Sequence, residues 1–323
     1  MGFLKSIFGG KQEPESVATP VDSKFQTLKF DGVRARNMGE FPFAVRCFHE
    51  ALSLQPSDLE TKSYLAEAYM RVAQPEKAYP LFLELTQNEP DNVPLWIMLA
   101  QAAEQNSDWT AMQEACEHVV KQDPDNAVAH YLFAKAYDGQ KDDFQAIAQL
   151  TTALVLEAHF ELALLLRAQL LLRMNQYAEA EKDVDVLLQT AEPSEETLLL
   201  KGDLRHAVTD MEGAAMYYQQ AIEVNPFSSD AILKCGGLYV ETNQLDKALH
   251  LYDEAIANQP NFAAAYQQRG GVKRMLKDEL GAVDDLKRSL ELAPEALAEV
   301  EGEFTNVENR IEEEYKARNP YGF

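Results

Sequence analysis

Cysteine is scarce in this sequence. Three cysteines, Cys47, Cys116 and Cys235, lie far apart among 323 residues. An odd number of widely spaced cysteines does not suggest a disulfide framework, so we expect a reducing compartment, the cytoplasm. The sequence also lacks any run of about 20 apolar residues, which is the length needed to cross a bilayer.

Basic residues are few compared with acidic ones. The chain has 29 Lys and Arg against 53 Asp and Glu, for a net charge of −24. A nucleic-acid-binding surface needs clustered cations that displace counterions from phosphates, so nucleic acid is not an expected partner. The 46% of hydrophobic residues indicates a folded chain rather than a disordered one.

Patterns that carry catalysis or metal binding are missing as well. Six scattered histidines form no His-Glu-x-x-His pair, and no Cys-x-x-Cys occurs. Cys116 and His118 lie close together, but without a second pair they do not outline a tetrahedral metal site. We therefore predict no catalytic residue, no metal and no cofactor, and we expect that the protein is not an enzyme.

What the sequence does contain is a helical hairpin pattern that recurs every 34 residues. It is clearest in residues 229–262, where two helices are predicted, roughly 230–242 and 245–258, separated by the polar turn Asn243-Gln244. Small residues stand where the two helices must approach each other, tyrosines fill the remaining space, and a proline ends the second helix: Gly236, Ala248, Ala255, Tyr239, Tyr252 and Pro260.

Eight copies of this pattern follow one another without insertion, at 25–58, 59–92, 93–126, 127–160, 161–194, 195–228, 229–262 and 263–296. Position 8 is Gly or Ala in every copy, and position 20 is Ala in all but one, where Met112 replaces it. The pattern resembles the tetratricopeptide repeat family. The resemblance implies an all-α, right-handed superhelical solenoid in which each repeat packs on its neighbours.

The segments outside the repeats have their own patterns. Residues 1–24 are expected to be a flexible arm and linker, whose first ten residues offer the only predicted membrane contact. Gly2 and Ser6 also match a minimal N-myristoylation pattern. Residues 297–323 are expected to form a capping helix and a tail. Apolar residues recur there every three or four positions: Leu297, Val300, Phe304, Val307, Ile311 and Tyr315.

In the family that this chain resembles, the first helix of each repeat lines a concave face. Apolar residues fall at two of the groove positions, namely Phe30, Tyr64, Met98, Leu132, Leu166 and Leu200 at position 6, and Ile97, Tyr131, Leu165 and Leu199 at position 5. An exposed apolar strip indicates a binding site, although the same residues would also suit packing between neighbouring helices. The Lys and Asn residues with which some members clamp a carboxylate are absent here.

Two groups of basic residues stand out. Arg269, Lys273, Arg274 and Lys277 in the last repeat are either a secondary patch for an acidic partner or the ion-pair partners of the acidic capping helix. The other group, Arg167, Lys201 and Arg205, falls at nominal core positions. These side chains either extend to the solvent or pair with acids such as Asp183 and Asp185.

The sequence therefore predicts a non-enzymatic scaffold or adaptor that binds another protein. The ligand would be an extended peptide or an amphipathic helix held in the apolar concave groove. A monomer is favoured over an oligomer. The alternative is a self-assembling or membrane-surface adaptor that docks through its apolar N-terminal arm.

Overall fold

The computed structural model describes residues 20–190 and 192–294. Within these ranges the chain forms sixteen α-helices and no strand, which confirms the predicted all-α repeat fold. None of the described helices is long and apolar enough to cross a membrane.

The helices alternate between the first and the second helix of each predicted repeat. The first helices are α1 (Pro20–Asn37), α3 (Leu59–Arg71), α5 (Val93–Gln105), α7 (Ala127–Gly139), α9 (Glu161–Arg173), α11 (Glu195–Ala207), α13 (Ser229–Glu241) and α15 (Ala263–Met275). The second helices are α2 (Phe41–Leu54), α4 (Pro75–Asn88), α6 (Trp109–Gln122), α8 (Asp143–Leu156), α10 (Tyr177–Thr190), α12 (Met211–Val224), α14 (Leu245–Asn258) and α16 (Glu279–Leu292).

The N-terminal boundary differs from the prediction. Helix α1 begins at Pro20, so residues 20–24 are helical rather than part of a flexible arm. The side-chain amide of Gln55 donates a hydrogen bond of 2.9 Å to the carboxylate of Asp22, which connects this first turn to the end of α2. The predicted docking arm (residues 1–10) and the predicted capping helix and tail (297–323) lie outside the described residues.

The chain divides into two compact units, Met1–Ala163 and Leu164–Phe323, and the division falls within α9. Each unit has its own apolar core. Phe48, Phe82 and Leu99 belong to the core of the first unit, and Tyr218, Ile232 and Tyr252 belong to that of the second.

The small residue at position 8 has a direct steric cause in three repeats. A Cβ atom built on Gly236 would lie 2.3 Å from the ring of Tyr252, which is fully buried. The same relation joins Gly202 to Tyr218, at 2.4 Å, and Gly32 to Phe48, at 2.5 Å. Each glycine thus lets the aromatic ring of the second helix pack directly on the backbone of the first.

The turn between the two helices has the same backbone form in all eight described repeats. Its residue at position 15 adopts a positive φ of 54° to 77°, at Gly39, Ala73, Ser107, Lys141, Asn175, Thr209, Asn243 and Lys277. The amide of the next residue then reaches back into the first helix. For example, Asp210 N–H donates to Arg205 O at 2.9 Å. Seven of the eight repeats adopt this left-handed conformation without a glycine.

Replacing Thr209 with glycine should therefore stabilise the protein by about 1 kcal/mol, because a β-branched residue is strained at positive φ and glycine is not. Urea denaturation followed by circular dichroism would measure the change. Asn243→Gly is the control, and its gain should be smaller, since asparagine tolerates this conformation. A loss of stability in Thr209→Gly would contradict the interpretation.

The cations predicted at core positions of the second unit are paired. Arg167 donates two hydrogen bonds to Asp183, at 2.8 and 2.6 Å, and Asp183 is buried. Lys201, which is only 3% exposed, lies 2.5 Å from Asp185 and 2.7 Å from Glu181. Arg205 also pairs with Glu181. The ion-pair hypothesis for these residues is confirmed.

Candidate functional site

The first unit has a surface cleft formed mainly by α1, α3 and α5, the first helices of the first three repeats. Its volume is about 550 Å³, and its lining consists of Arg36, Asn37, Phe41, Glu67, Met70, Arg71, Phe82, Met98, Gln101 and Gln105. Eight of these ten residues come from α1, α3 and α5, and the other two come from second helices. We call this surface the α1–α3–α5 cleft.

The repeat period explains why these residues meet. Arg36 and Met70 are 34 residues apart, as are Glu67 and Gln101, so each pair holds equivalent positions in consecutive repeats. Stacking of repeats places equivalent positions side by side. The lining therefore corresponds to positions 6, 9, 12 and 13 of the first helices, together with Phe41 and Phe82 from α2 and α4.

Two arginines of the cleft differ in their environment. Arg36 lies 3.2 Å from the carboxylate of Glu67 and 4.4 Å from the centre of the Tyr64 ring. Arg71 is exposed and lies over the ring of Phe41, at 4.9 Å from its centre. No described residue forms an ion pair with Arg71. The ring orients its guanidinium while leaving its N–H groups available.

The apolar part of the cleft is its floor. Phe82 is 1% exposed and belongs to the core. Met70 and Met98 are half-buried and pack against the same core. Methionine side chains adapt to irregular contacts, which suits a surface that must accommodate another chain.

The residues predicted to form an apolar ladder have different environments in the structure. Tyr64, Ile97, Met98, Tyr131, Leu165 and Leu166 are half-buried, and Phe30 is 67% exposed. Tyr64 donates a hydrogen bond of 2.7 Å to Glu60, which raises the pKa of its phenol.

Three members of the ladder are core residues instead. Leu132, Leu199 and Leu200 are no more than 8% exposed. Leu132 packs into the core of the first unit and Leu199 into that of the second. These side chains are already covered by their own chain, so they do not form part of an exposed strip, and the structure corrects this part of the prediction.

The four residues of the predicted secondary basic patch have two different environments. Arg269 donates hydrogen bonds of 2.8 and 2.6 Å to Asp285 and one of 2.7 Å to Asp253. Lys273 lies 2.9 Å from Asp285. Their described partners thus lie in α14 and α16, and the predicted capping helix lies outside the described residues. Arg274 and Lys277 remain exposed.

The cysteines are packing residues. All three are free and buried. Burial raises the pKa of the Cys116 thiol to about 12 and that of Cys235 to about 11. Both thiols are therefore protonated at neutral pH, and a protonated thiol is a poor nucleophile. Cys116 is 1% exposed and stands at position 24, where four of the other repeats have Phe or Tyr.

The cleft residues Arg36, Arg71 and Gln101 were missed at the sequence level. The predicted apolar strip rested on positions 5 and 6, whereas these three side chains are polar and stand at positions 12, 13 and 9. Comparing the charged residues at positions 12 and 13 of successive repeats would have found Arg36 and Arg71.

Comparison with known proteins agrees with this architecture. A family model described as "Tetratricopeptide repeat" matches residues 206–268. This segment lies in the last three of the eight repeats, and the chain as a whole is similar to tetratricopeptide repeat proteins. It is 19% identical over 288 residues to anaphase-promoting complex subunit 3 of Schizosaccharomyces pombe. That alignment covers 88% of this chain but 43% of the relative, so the chain spans less than half of the curated tetratricopeptide repeat protein that it matches.

Solved structures of tetratricopeptide repeat proteins share the fold. The APC/C hetero-tetramer Cut9–Hcn1 matches with a TM-score of 0.54 and 17% identity, covering 79% of this chain and 50% of the other. PilF of Pseudomonas aeruginosa matches with a TM-score of 0.54 and 18% identity, covering 68% of this chain and 99% of the other. At these identities the likeness shows the fold alone.

Proposed function

We propose that this protein is a non-enzymatic scaffold that binds a segment of another protein in the α1–α3–α5 cleft. The observation that carries the proposal is the cleft itself. It is a concave surface of about 550 Å³ with half-buried methionines, an oriented arginine and exposed amides, built at equivalent positions of three consecutive repeats.

The size and chemistry of the cleft suit a peptide segment. Binding pockets commonly have volumes of about 300–1,000 Å³ and combine an apolar surface with a few polar groups that fix orientation. An extended peptide or an amphipathic helix supplies both kinds of contact. The names of the relatives support the proposal, since they describe a subunit of a complex and a hetero-tetramer.

Filling the cleft should abolish partner binding. Gln101 lines the cleft and its side chain is exposed, so Gln101→Trp adds bulk there without disturbing the core. Gln267 is exposed on another first helix, α15, and Gln267→Trp is the matched control. Affinity capture from source-cell lysate, quantified by mass spectrometry, should give partners that wild type and Gln267→Trp retain and Gln101→Trp loses.

Circular dichroism should show the same helical content in all three proteins. If they are equally folded and capture the same partners in equal amounts, the cleft is not the binding site. A charged substitution at the predicted groove residue Leu132 would not test the cleft, because that side chain is buried and its replacement would damage the core.

A further inference from the structure

We infer that the occupant of the α1–α3–α5 cleft is an extended acidic peptide in which a carboxylate side chain stands next to an apolar one. Arg71 would bind the carboxylate, and the floor formed by Met70, Met98 and Phe82 would receive the apolar side chain. The inference rests on the proposed function, because it specifies the ligand of the same site.

The charges of the lining favour a carboxylate. The chain as a whole carries a net charge of −24, but the cleft contains two arginines and one glutamate. Glu67 is already neutralised by Arg36 at 3.2 Å. The positive charge of Arg71 is therefore not balanced within the cleft, and its planar fork matches a carboxylate in a bidentate geometry.

The position of Arg71 over Phe41 makes this charge suitable for recognition. The guanidinium lies 4.9 Å from the ring centre. An arginine that stacks on an aromatic face loses less conformational freedom when it binds. A basic ligand would meet an unpaired cation here, while the acidic surface of the chain would repel the phosphates of a nucleic acid.

The floor supplies the second determinant. Phe82 closes the base of the cleft, and the half-buried side chains of Met70 and Met98 line it. An apolar side chain placed there would be removed from water on contact with three apolar groups. Because the methionines are flexible, we expect tolerance between aliphatic and aromatic side chains rather than a strict requirement for one.

Two amides on α5 favour an extended ligand. Gln101 and Gln105 are exposed, line the cleft and are one helical turn apart. Four residues of an α-helix rise about 6 Å. Two residues of an extended chain span about 6.6 Å. The two glutamine side chains can therefore hydrogen-bond to alternate peptide groups of a strand-like ligand that runs along α5.

The test uses four fluorescein-labelled synthetic peptide pools, each of twelve residues on a glycine–serine background. The first pool contains adjacent leucine and aspartate, the second only aspartate, the third only leucine, and the fourth leucine with lysine. Fluorescence polarisation with the full chain measures binding. The first pool should bind about ten-fold more tightly than any other, since losing a charged hydrogen bond or an apolar contact has an effect of that order.

Arg71→Gln should weaken binding of the first pool by about ten-fold and remove its advantage over the third. Arg46→Gln should leave binding unchanged. Arg46 is a matched control, because it is also exposed and lies over an aromatic ring, that of Phe43 at 5.3 Å, but it does not line the cleft. Circular dichroism would verify the fold of both variants.

Three results would overturn the inference: equal binding by wild type and Arg71→Gln, preference for the basic pool, or no binding of any pool. Gln101→Trp separates the inference from the proposed function. If it abolishes binding that Arg71→Gln leaves intact, the cleft binds peptides but does not select a carboxylate. If a pool binds and neither variant changes its affinity, both the inference and the proposed cleft fail.

Discussion

Replacing Asp285 with alanine should lower the free energy of unfolding by about 3 kcal/mol at pH 7, because removal of one partner from a buried ion pair leaves the other charges uncompensated. Asp285 is 4% exposed and accepts hydrogen bonds of 2.8 and 2.6 Å from Arg269. Lys273 lies 2.9 Å from the same carboxylate. Urea denaturation followed by circular dichroism would measure the loss.

Asp284→Ala is the control for this substitution. Asp284 is the neighbouring residue on α16, but it is exposed and forms no ion pair with the described residues. Its replacement should change stability by less than about 0.5 kcal/mol, as is usual for surface positions. Equal effects of the two substitutions would show that the Asp285 cluster does not stabilise the fold.

The contribution of Asp285 should disappear at acidic pH. Burial by itself would raise the pKa of this carboxyl, but the hydrogen bonds from Arg269 and Lys273 outweigh it and hold the pKa below its usual range. Because the pKa of Asp285 is lower in the folded than in the unfolded chain, its carboxylate contributes its full stabilisation above the unfolded pKa of about 4. This contribution is lost as the pH falls through the folded-state pKa. The stability difference between wild type and Asp285→Asn should therefore shrink below about pH 4.

The repeat phase could be read from the sequence because sterics dictate it. Only a small side chain fits where two helices cross closely, so the small residues at position 8 marked each hairpin. The left-handed residue at position 15 gave no comparable signal. Ala73 and Thr209 do not favour positive φ, and their conformation is imposed by the helices on either side.

The candidate site was harder to predict than the fold. The resemblance to tetratricopeptide repeats assigns Leu132 to the expected groove, but whether a neighbouring helix covers it depends on tertiary packing, and the structure buries it. The ion-pair partner of Arg269, by contrast, could have been predicted from the spacing of charges in the sequence. Arg167 and Asp183 are separated by 16 residues, and so are Arg269 and Asp285, so a search for charges at this spacing would have found both pairs.

Replacing Gly236 with alanine should lower the free energy of unfolding by about 1–3 kcal/mol, the usual cost of overpacking a core. The added Cβ would lie 2.3 Å from the Tyr252 ring and its hydroxyl oxygen, and this side chain is fully buried. Gly237→Ala should instead stabilise the protein by about 0.5–1 kcal/mol, because a Cβ there meets nothing within 4 Å and alanine is the better helix former. Chemical denaturation of the two variants would give effects of opposite sign.

A double-mutant cycle identifies the cause. The fourth repeat combines Ala134 with Leu150 at the positions that Gly236 and Tyr252 occupy in the seventh, and both residues are fully buried. Tyr252→Leu should therefore cost less stability in the Gly236→Ala background than in wild type, since it relieves the clash. If the two costs are equal, contact with the ring is not the reason for the glycine. The small residue would then reflect the approach of the two helix backbones, which does not depend on the side chain at position 252.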